Sequence, residues 1–301
     1  MPALAPEAYL VPEVIRQIRR FDLKAKFVME GFLSGLHKSP FKGFSVEFSE
    51  HRKYTPGDDI RSIDWKVWSR TNRYYVKQYE AETNLTGHLV VDLSASMGYA
   101  SAPDGVTKLE YATYLAGAMA YLMVRQQDPV GLLTLGADLQ HYLKPRSRPS
   151  HLLSMLRVLA EARPGGPTGL ARALHRVAEM IPHRGLVILF SDLLDDEEEV
   201  LRAFSHLRYR GHDVIVFQIF DAAEARFSFS GLTRFEDMEG EEEAIVAEPA
   251  AVREAYLAEV RRFLEHYRSE CQKRRIDFVE LDTASRFDIA LLAYLQRRCG
   301  R

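Results

Sequence analysis

Cysteine is almost absent: the 301 residues hold two, Cys271 and Cys299, far apart and without partners at metal-ligand spacing. That excludes a disulfide framework and a thiolate zinc site, and it suits a reducing compartment. An excess of one charge is lacking too. Forty basic against 42 acidic side chains leave a formal net charge of −2, so no overall positive field is available to hold a nucleic acid by counterion release. Long apolar runs are also missing. The longest, LAGAMAYLMV at 115–124, is half of the roughly 20 residues needed to cross a bilayer. The first residues, MPALAPEAYLVPEV, carry two acids and three prolines but no basic stretch, so they do not read as a secretory signal. A soluble, cytoplasmic protein is the expectation.

What is present is enough apolar material for a full core, 47% hydrophobic against 27% charged residues. From about residue 87 short apolar runs alternate with amphipathic helices, the pattern of βαβ units on a mostly parallel sheet. GHLVVDLS reads as the first strand. Thr107 with Glu110 three residues later forms a capping box, opening a helix to about Gln127 with Leu109, Ala112, Ala116, Met119 and Met123 on one face.

VGLLTL and LQHYL read as a strand pair, and Ser150 as the cap of the helix that follows. LARALHRVAEMI is a second amphipathic helix, and GLVILFSD (185–192) and DVIVFQIF (213–220) are strands buried on both faces. Between those two strands, DDEEEVLRAFSHLRYRG is a helix with its acids first and bases last, which suits the helix dipole. An excursion hairpin over 231–248, a helix over about 250–274, a strand at 276–281 and a helix over about 286–298 complete the α/β unit. Residues 1–86 differ: a basic amphipathic helix over about 11–36 (Arg16, Arg19, Arg20, Lys24, Lys26) precedes a β-rich, turn-rich region. The expected division is therefore 1–86 and 87–301.

In an open parallel sheet, ligands bind beyond the carboxyl ends of the strands, near the point where strand order reverses. Asp92, Ser94 and Ser96 end one strand, Asp192 ends another, and Thr168 opens a helix after a Gly/Pro loop. Two carboxylates and three hydroxyls are all hard oxygen donors, with no His or Cys among them. Such a shell suits Mg²⁺, with Mn²⁺ or Ca²⁺ as alternatives, and leaves room for an outside ligand. Taken singly, each residue has an ordinary use as a loop or helix cap. Together and in this order they read as a metal site.

Asp92-Leu93-Ser94-Ala95-Ser96, Thr168 and Asp192 resemble the DxSxS, Thr and Asp elements of the metal-ion-dependent adhesion site of von Willebrand factor A domains, over about residues 87–301. That resemblance implies a doubly wound α/β fold with a mostly parallel sheet, Ser94, Ser96 and Thr168 as direct ligands, Asp92 and Asp192 acting through water, and a partner's acidic side chain completing the metal sphere. Gly169 departs from the pattern, because an acidic or amide residue often follows the Thr. A second resemblance lies upstream. Glu50, Arg52, Tyr54, Pro56-Gly57-Asp58-Asp59, Arg61 and Ile63-Asp64-Trp65, then Tyr75-Val76-Lys77 and Glu80, resemble the signature of a bacterial family of unknown function. Its members carry such an A domain and are typically encoded beside MoxR-type AAA+ ATPases. Arg52, Tyr54, Asp58, Asp59, Arg61, Asp64 and Trp65 are candidates for partner or interdomain contact, or for no more than surface ion pairs and packing.

The chain contains no HExxH, GxSxG, P-loop or GxGxxG, and no His or Lys lies in the loops beside the candidate ligands. Binding is therefore expected rather than turnover: a metal-dependent adaptor working with a MoxR-type ATPase. A Mg²⁺-dependent phosphohydrolase or nucleotide binder, with the Gly165-Gly166 loop cradling a phosphate, is the second reading. A scaffold with a vestigial site is the third.

Overall fold

The computed structural model describes residues 51–53, 68–70, 74–77, 86–103, 105–239 and 244–292. The chain divides into two compact units, one of Ser39–Asn84 and the other taking in Leu85–Arg301. In the smaller unit β1 (His51–Lys53) pairs antiparallel with β2 (Tyr75–Lys77), and the ring of Trp68 stacks on Tyr74 at 6.1 Å. Arg52 falls on β1. Tyr54, Asp58, Asp59, Arg61, Asp64 and Trp65 lie outside the described residues, as does the basic helix expected over 11–36.

The larger unit runs β3 (Gly87–Asp92), a 3-10 turn (Ala95–Gly98), α1 (Lys108–Arg125), β4 (Val130–Leu135), β5 (Leu139–Arg146), α2 (Pro149–Glu161), α3 (Leu170–Met180) and β6 (Leu186–Ser191). It continues through α4 (Glu197–Tyr209), β7 (Asp213–Phe220), α5 (Ala222–Arg226), the hairpin β8 (Thr233–Phe235) and β9 (Ile245–Ala247), α6 (Pro249–Lys273) and β10 (Asp277–Asp282). Residues 288–292 begin one more helix. Among the described residues no helix is long and apolar enough to cross a membrane.

Six strands form one sheet in the order β10-β7-β6-β3-β4-β5, parallel except for β5, which returns antiparallel on β4. This is the doubly wound, von Willebrand factor A-like architecture. From β3 the chain crosses first to β4 on one side and later to β6 on the other, so the order reverses at β3. The crevice beyond the carboxyl ends of β3 and β6 is therefore the switch point.

Strand side chains alternate between two cores, as the pleat requires. Leu89 and Val91 join Ile188, Phe190 and Phe217 under α1 and α2, while Val90, Leu189 and Val216 face α3, α4 and α6. The capping box of Thr107 and Glu110 opens α1 as expected, but the helix is not one-faced. Of its 18 residues only Glu110, Tyr121 and Arg125 escape burial, because the sheet, α2 and the segment holding Phe287, Ala290 and Leu291 enclose it. Ser150 is not a cap either: Pro149 takes the first helical position of α2 and Arg148 precedes it. Proline suits that position because its missing N–H has no helical partner there.

At the amino ends of the strands His88 is buried with no partner for Nδ1, near His212, whose ring nitrogens also lack partners. Burial, then repulsion from His212, lowers the pKa of His88 from 6.5 to about 4. The unfolded chain therefore takes up a proton near pH 6.5 that the folded chain refuses until about pH 4. Stability from this group is full above pH 6.5 and falls on acidification through that window. At roughly 1.4 kcal/mol per unit, about 3 kcal/mol is lost. Urea denaturation of wild type and His88→Leu between pH 7.5 and 4 should show the difference between them shrinking by that amount toward acid. A constant difference would rule the burial out.

Candidate metal centre at the switch point

β3 and β6 pair in parallel with Val91 opposite Phe190, which brings Asp92 and Ser191 to one level. The Ser191 hydroxyl donates to Asp92 Oδ2 at 2.6 Å, and the Ser94 amide donates to Asp92 Oδ1 at 2.9 Å. The second bond folds the chain back after the strand. The 3-10 turn then brings Ser94 Oγ and Ser96 Oγ into a mutual hydrogen bond at 3.1 Å, in a region where Asp92, Ser94 and Ser96 are all buried.

Asp192 follows β6 and is buried, its Oδ1 accepting the Leu194 amide at 3.3 Å. Leu193 between them takes a left-handed conformation with φ 61°, which costs a non-glycine residue on the order of 1 kcal/mol. Its amide donates to Ser191 Oγ at 3.0 Å, fixing that turn. Ser191 thus serves both strand ends.

The Thr168 loop is stitched to the DxSxS loop by two backbone bonds, Gly165 N–H to the Leu93 carbonyl at 2.9 Å and Ala95 N–H to the Gly166 carbonyl at 3.2 Å. Thr168 itself is half-buried. Gly169 has a steric reason: a Cβ there would stand 2.4 Å from the Ala137 carbonyl oxygen. Glu239 Oε2, 71 residues away, accepts the Thr168 amide at 2.7 Å.

Electrostatics mark the crevice further. Burial, then repulsion from Asp192, pushes the Asp92 carboxyl well above the usual range, against the hydrogen bonds from Ser191 and Ser94. Two buried carboxylates facing one another need a cation or a proton between them. Part of that charge is met by a residue that motif spacing did not reveal. Lys108, the first residue of α1, is fully buried and donates to Asp192 Oδ2 at 2.8 Å and to Glu224 Oε1 at 3.1 Å. Burial alone would lower its pKa, but Asp192 and Glu224 outweigh that and hold it above the lysine range. So a lysine does reach the site, from a helix rather than a neighbouring loop. Held charged in this way, it is not available as a base.

The donors fit a small hard cation. Magnesium holds oxygens at roughly 2.0 to 2.1 Å, so two adjacent corners of its octahedron lie roughly 3 Å apart. The Ser94–Ser96 separation of 3.1 Å matches such an edge. Among the described residues no group of three or more His, Cys, Asp or Glu is placed to hold a metal. Asp92, whose named partners are neutral donors only, remains to balance a second positive charge.

The chain belongs to the family described as Protein of unknown function DUF58. The match runs over residues 50–266. Proteins of Mycobacterium bovis and Mycobacterium tuberculosis, each described as uncharacterized, are 29% identical over 234 residues, covering 76% of this DUF58 chain and 72% of theirs. Among solved structures it is similar to the conserved hypothetical protein BatB of Bacteroides thetaiotaomicron, with 17% identity and a TM-score of 0.49 over 72% of this chain and all of that one. The von Willebrand factor A domain of SpRpn10 gives 12% identity and a TM-score of 0.38, over 69% and 93%. The strand order of this DUF58 chain, not those likenesses, carries the fold assignment.

Lys108→Met should strand the Asp192 carboxylate without its buried partner and cost about 3 to 5 kcal/mol of stability. Chemical denaturation in chelator measures it. A loss below about 1 kcal/mol would mean that Asp192 is solvated by other means.

Proposed function

We propose that this chain is a protein-interaction module that binds an acidic group of a partner through a divalent cation at the switch point. The observation that carries this reading is the pair of buried serine hydroxyls 3.1 Å apart, backed by the facing carboxylates of Asp92 and Asp192. Ser94, Ser96 and Thr168 would hold the ion. Asp92 and Asp192 would stand behind it, and Lys108 keeps Asp192 oriented. When bound, the ion supplies the positive charge that a partner's carboxylate seeks, in a crevice where water competes poorly. Mg²⁺ is the ion that the hard-oxygen donor set favours.

The family resemblance implies a MoxR-type AAA+ ATPase as partner, with the pair acting in assembly, maturation or activation of another complex. That partnership would place the protein in the cytoplasm. Arg52, Tyr54, Asp58, Asp59, Arg61, Asp64 and Trp65 are the candidates for a second contact with it.

The phosphohydrolase reading has less support. A phosphate cradled at the start of α3 would need its free amides. The Thr168 amide already donates to Glu239 and the Ala171 amide to Asp195, at 3.0 Å. Both carboxylates would repel a phosphate.

Calorimetric titration with Mg²⁺ should give binding to wild type and at least tenfold weaker binding to Ser94→Ala and Ser96→Ala, with melting curves unchanged. Co-sedimentation with the purified ATPase should be lost in chelator and in Asp92→Ala. Undiminished association in chelator would defeat the reading, and Mg²⁺-dependent phosphate release from a substrate panel would replace it with the enzymatic one.

A further inference from the structure

Lys108 reaches the switch point through Asp192, and its ammonium is held from three sides. Asp192 Oδ2 accepts from Nζ at 2.8 Å, Glu224 Oε1 accepts from it at 3.1 Å, and the centroid of the Tyr99 ring lies 5.9 Å away. The two acids are not equal claimants. The side chains of Lys108 and Asp192 are each 1% exposed, whereas that of Glu224 is 21% exposed, so water answers part of the Glu224 charge and little of the Asp192 charge. α1, which begins with Lys108, is enclosed along nearly its whole length, and dense packing holds its first residue in place.

Asp92 is treated differently: its named partners, the Ser191 hydroxyl and the Ser94 amide, are neutral. Of the two carboxylates at the strand ends, one is thus cancelled by an in-chain cation and the other is not. Two free carboxylates would neutralise a divalent ion beside them, but with Asp192 already answered by Lys108 the loaded centre keeps roughly one positive charge. We infer that Lys108 is the residue that keeps the loaded centre electropositive: it weakens the hold on the divalent ion and, by the same charge, strengthens the hold on a partner's carboxylate. This rests on the reading of the switch point as a cation centre. Glu224, sharing the same ammonium, tunes the balance. The group selected is a carboxylate rather than a neutral oxygen donor, because a net charge is what remains to be answered. A lysine that only held Asp192 in position would favour metal and carboxylate alike.

Three variants of the full chain test the inference. Lys108→Met removes the charge, Lys108→Arg keeps it, and Glu224→Gln removes the acid that shares it while retaining an acceptor for the Asp221 amide. Mg²⁺ affinity is read by calorimetry. Carboxylate affinity is read on the Mn²⁺-loaded protein by titrating acetate against chloride at constant ionic strength and following water-proton relaxation, which falls as acetate displaces metal-bound water. Lys108→Met should bind Mg²⁺ about three- to tenfold more tightly and acetate about threefold more weakly, with Lys108→Arg close to wild type in both. Glu224→Gln should move the two constants the other way, Mg²⁺ weaker and acetate tighter. Constants that stay unchanged or move in the same direction in Lys108→Met would overturn the inference and leave the cation centre standing. Should that variant not fold, the same outcomes in Glu224→Gln, which keeps the Lys108–Asp192 pair, decide it. Absence of Mg²⁺ and Mn²⁺ binding to wild type and variants alike would overturn both.

Discussion

Two buried carboxylates set the terms for this molecule. Asp92 ends β3 and Asp192 follows the neighbouring parallel strand β6, and both are buried close enough for their charges to repel. Like charges in such a place repel strongly unless donors or cations intervene. The surroundings meet that need in three ways. Ser191 and the Ser94 amide give neutral hydrogen bonds to Asp92, Lys108 gives a full charge to Asp192, and the proposed cation beside the Ser94 and Ser96 hydroxyls would be the third.

The rest of the unit can be understood as support for that arrangement. α1 is enclosed almost completely, which holds the Lys108 ammonium in place between Asp192 and Glu224. The left-handed Leu193 turns the chain sharply after Asp192, a local cost tolerated because Ser191 and the Asp195 amide bond the turn from both sides. Gly165 and Ala95 tie the DxSxS and Thr168 loops together through backbone atoms, so their spacing does not depend on side-chain rotamers. A crevice built this way is preorganised.

Much of this was legible from residue order. β3, β6 and β7 announce themselves as continuous apolar runs because a parallel strand covered on both faces has no polar side to show. Thr107 and Glu110 announce the start of α1 because a capping box is a purely local device. Lys108 was harder to assign. A lysine opening a helix reads as solvated, and its burial depends on Asp192 and Glu224 arriving from 84 and 116 residues away. Ser150 misled for a local reason instead, since the adjacent Pro149 took the first helical position.

The amino-acid order by itself determined the alternation of strands and helices, the oxygen-only character of the five candidate ligands, and their position at strand ends and a loop mouth. Those features follow from pattern and local backbone chemistry. Tertiary structure alone decided that β3 and β6 are neighbours, that Lys108 neutralises Asp192, and that Glu239 meets Thr168 from a distant hairpin. Each of these is a contact between groups far apart in sequence. Its energy exists only once the intervening chain has packed, so no local pattern records it.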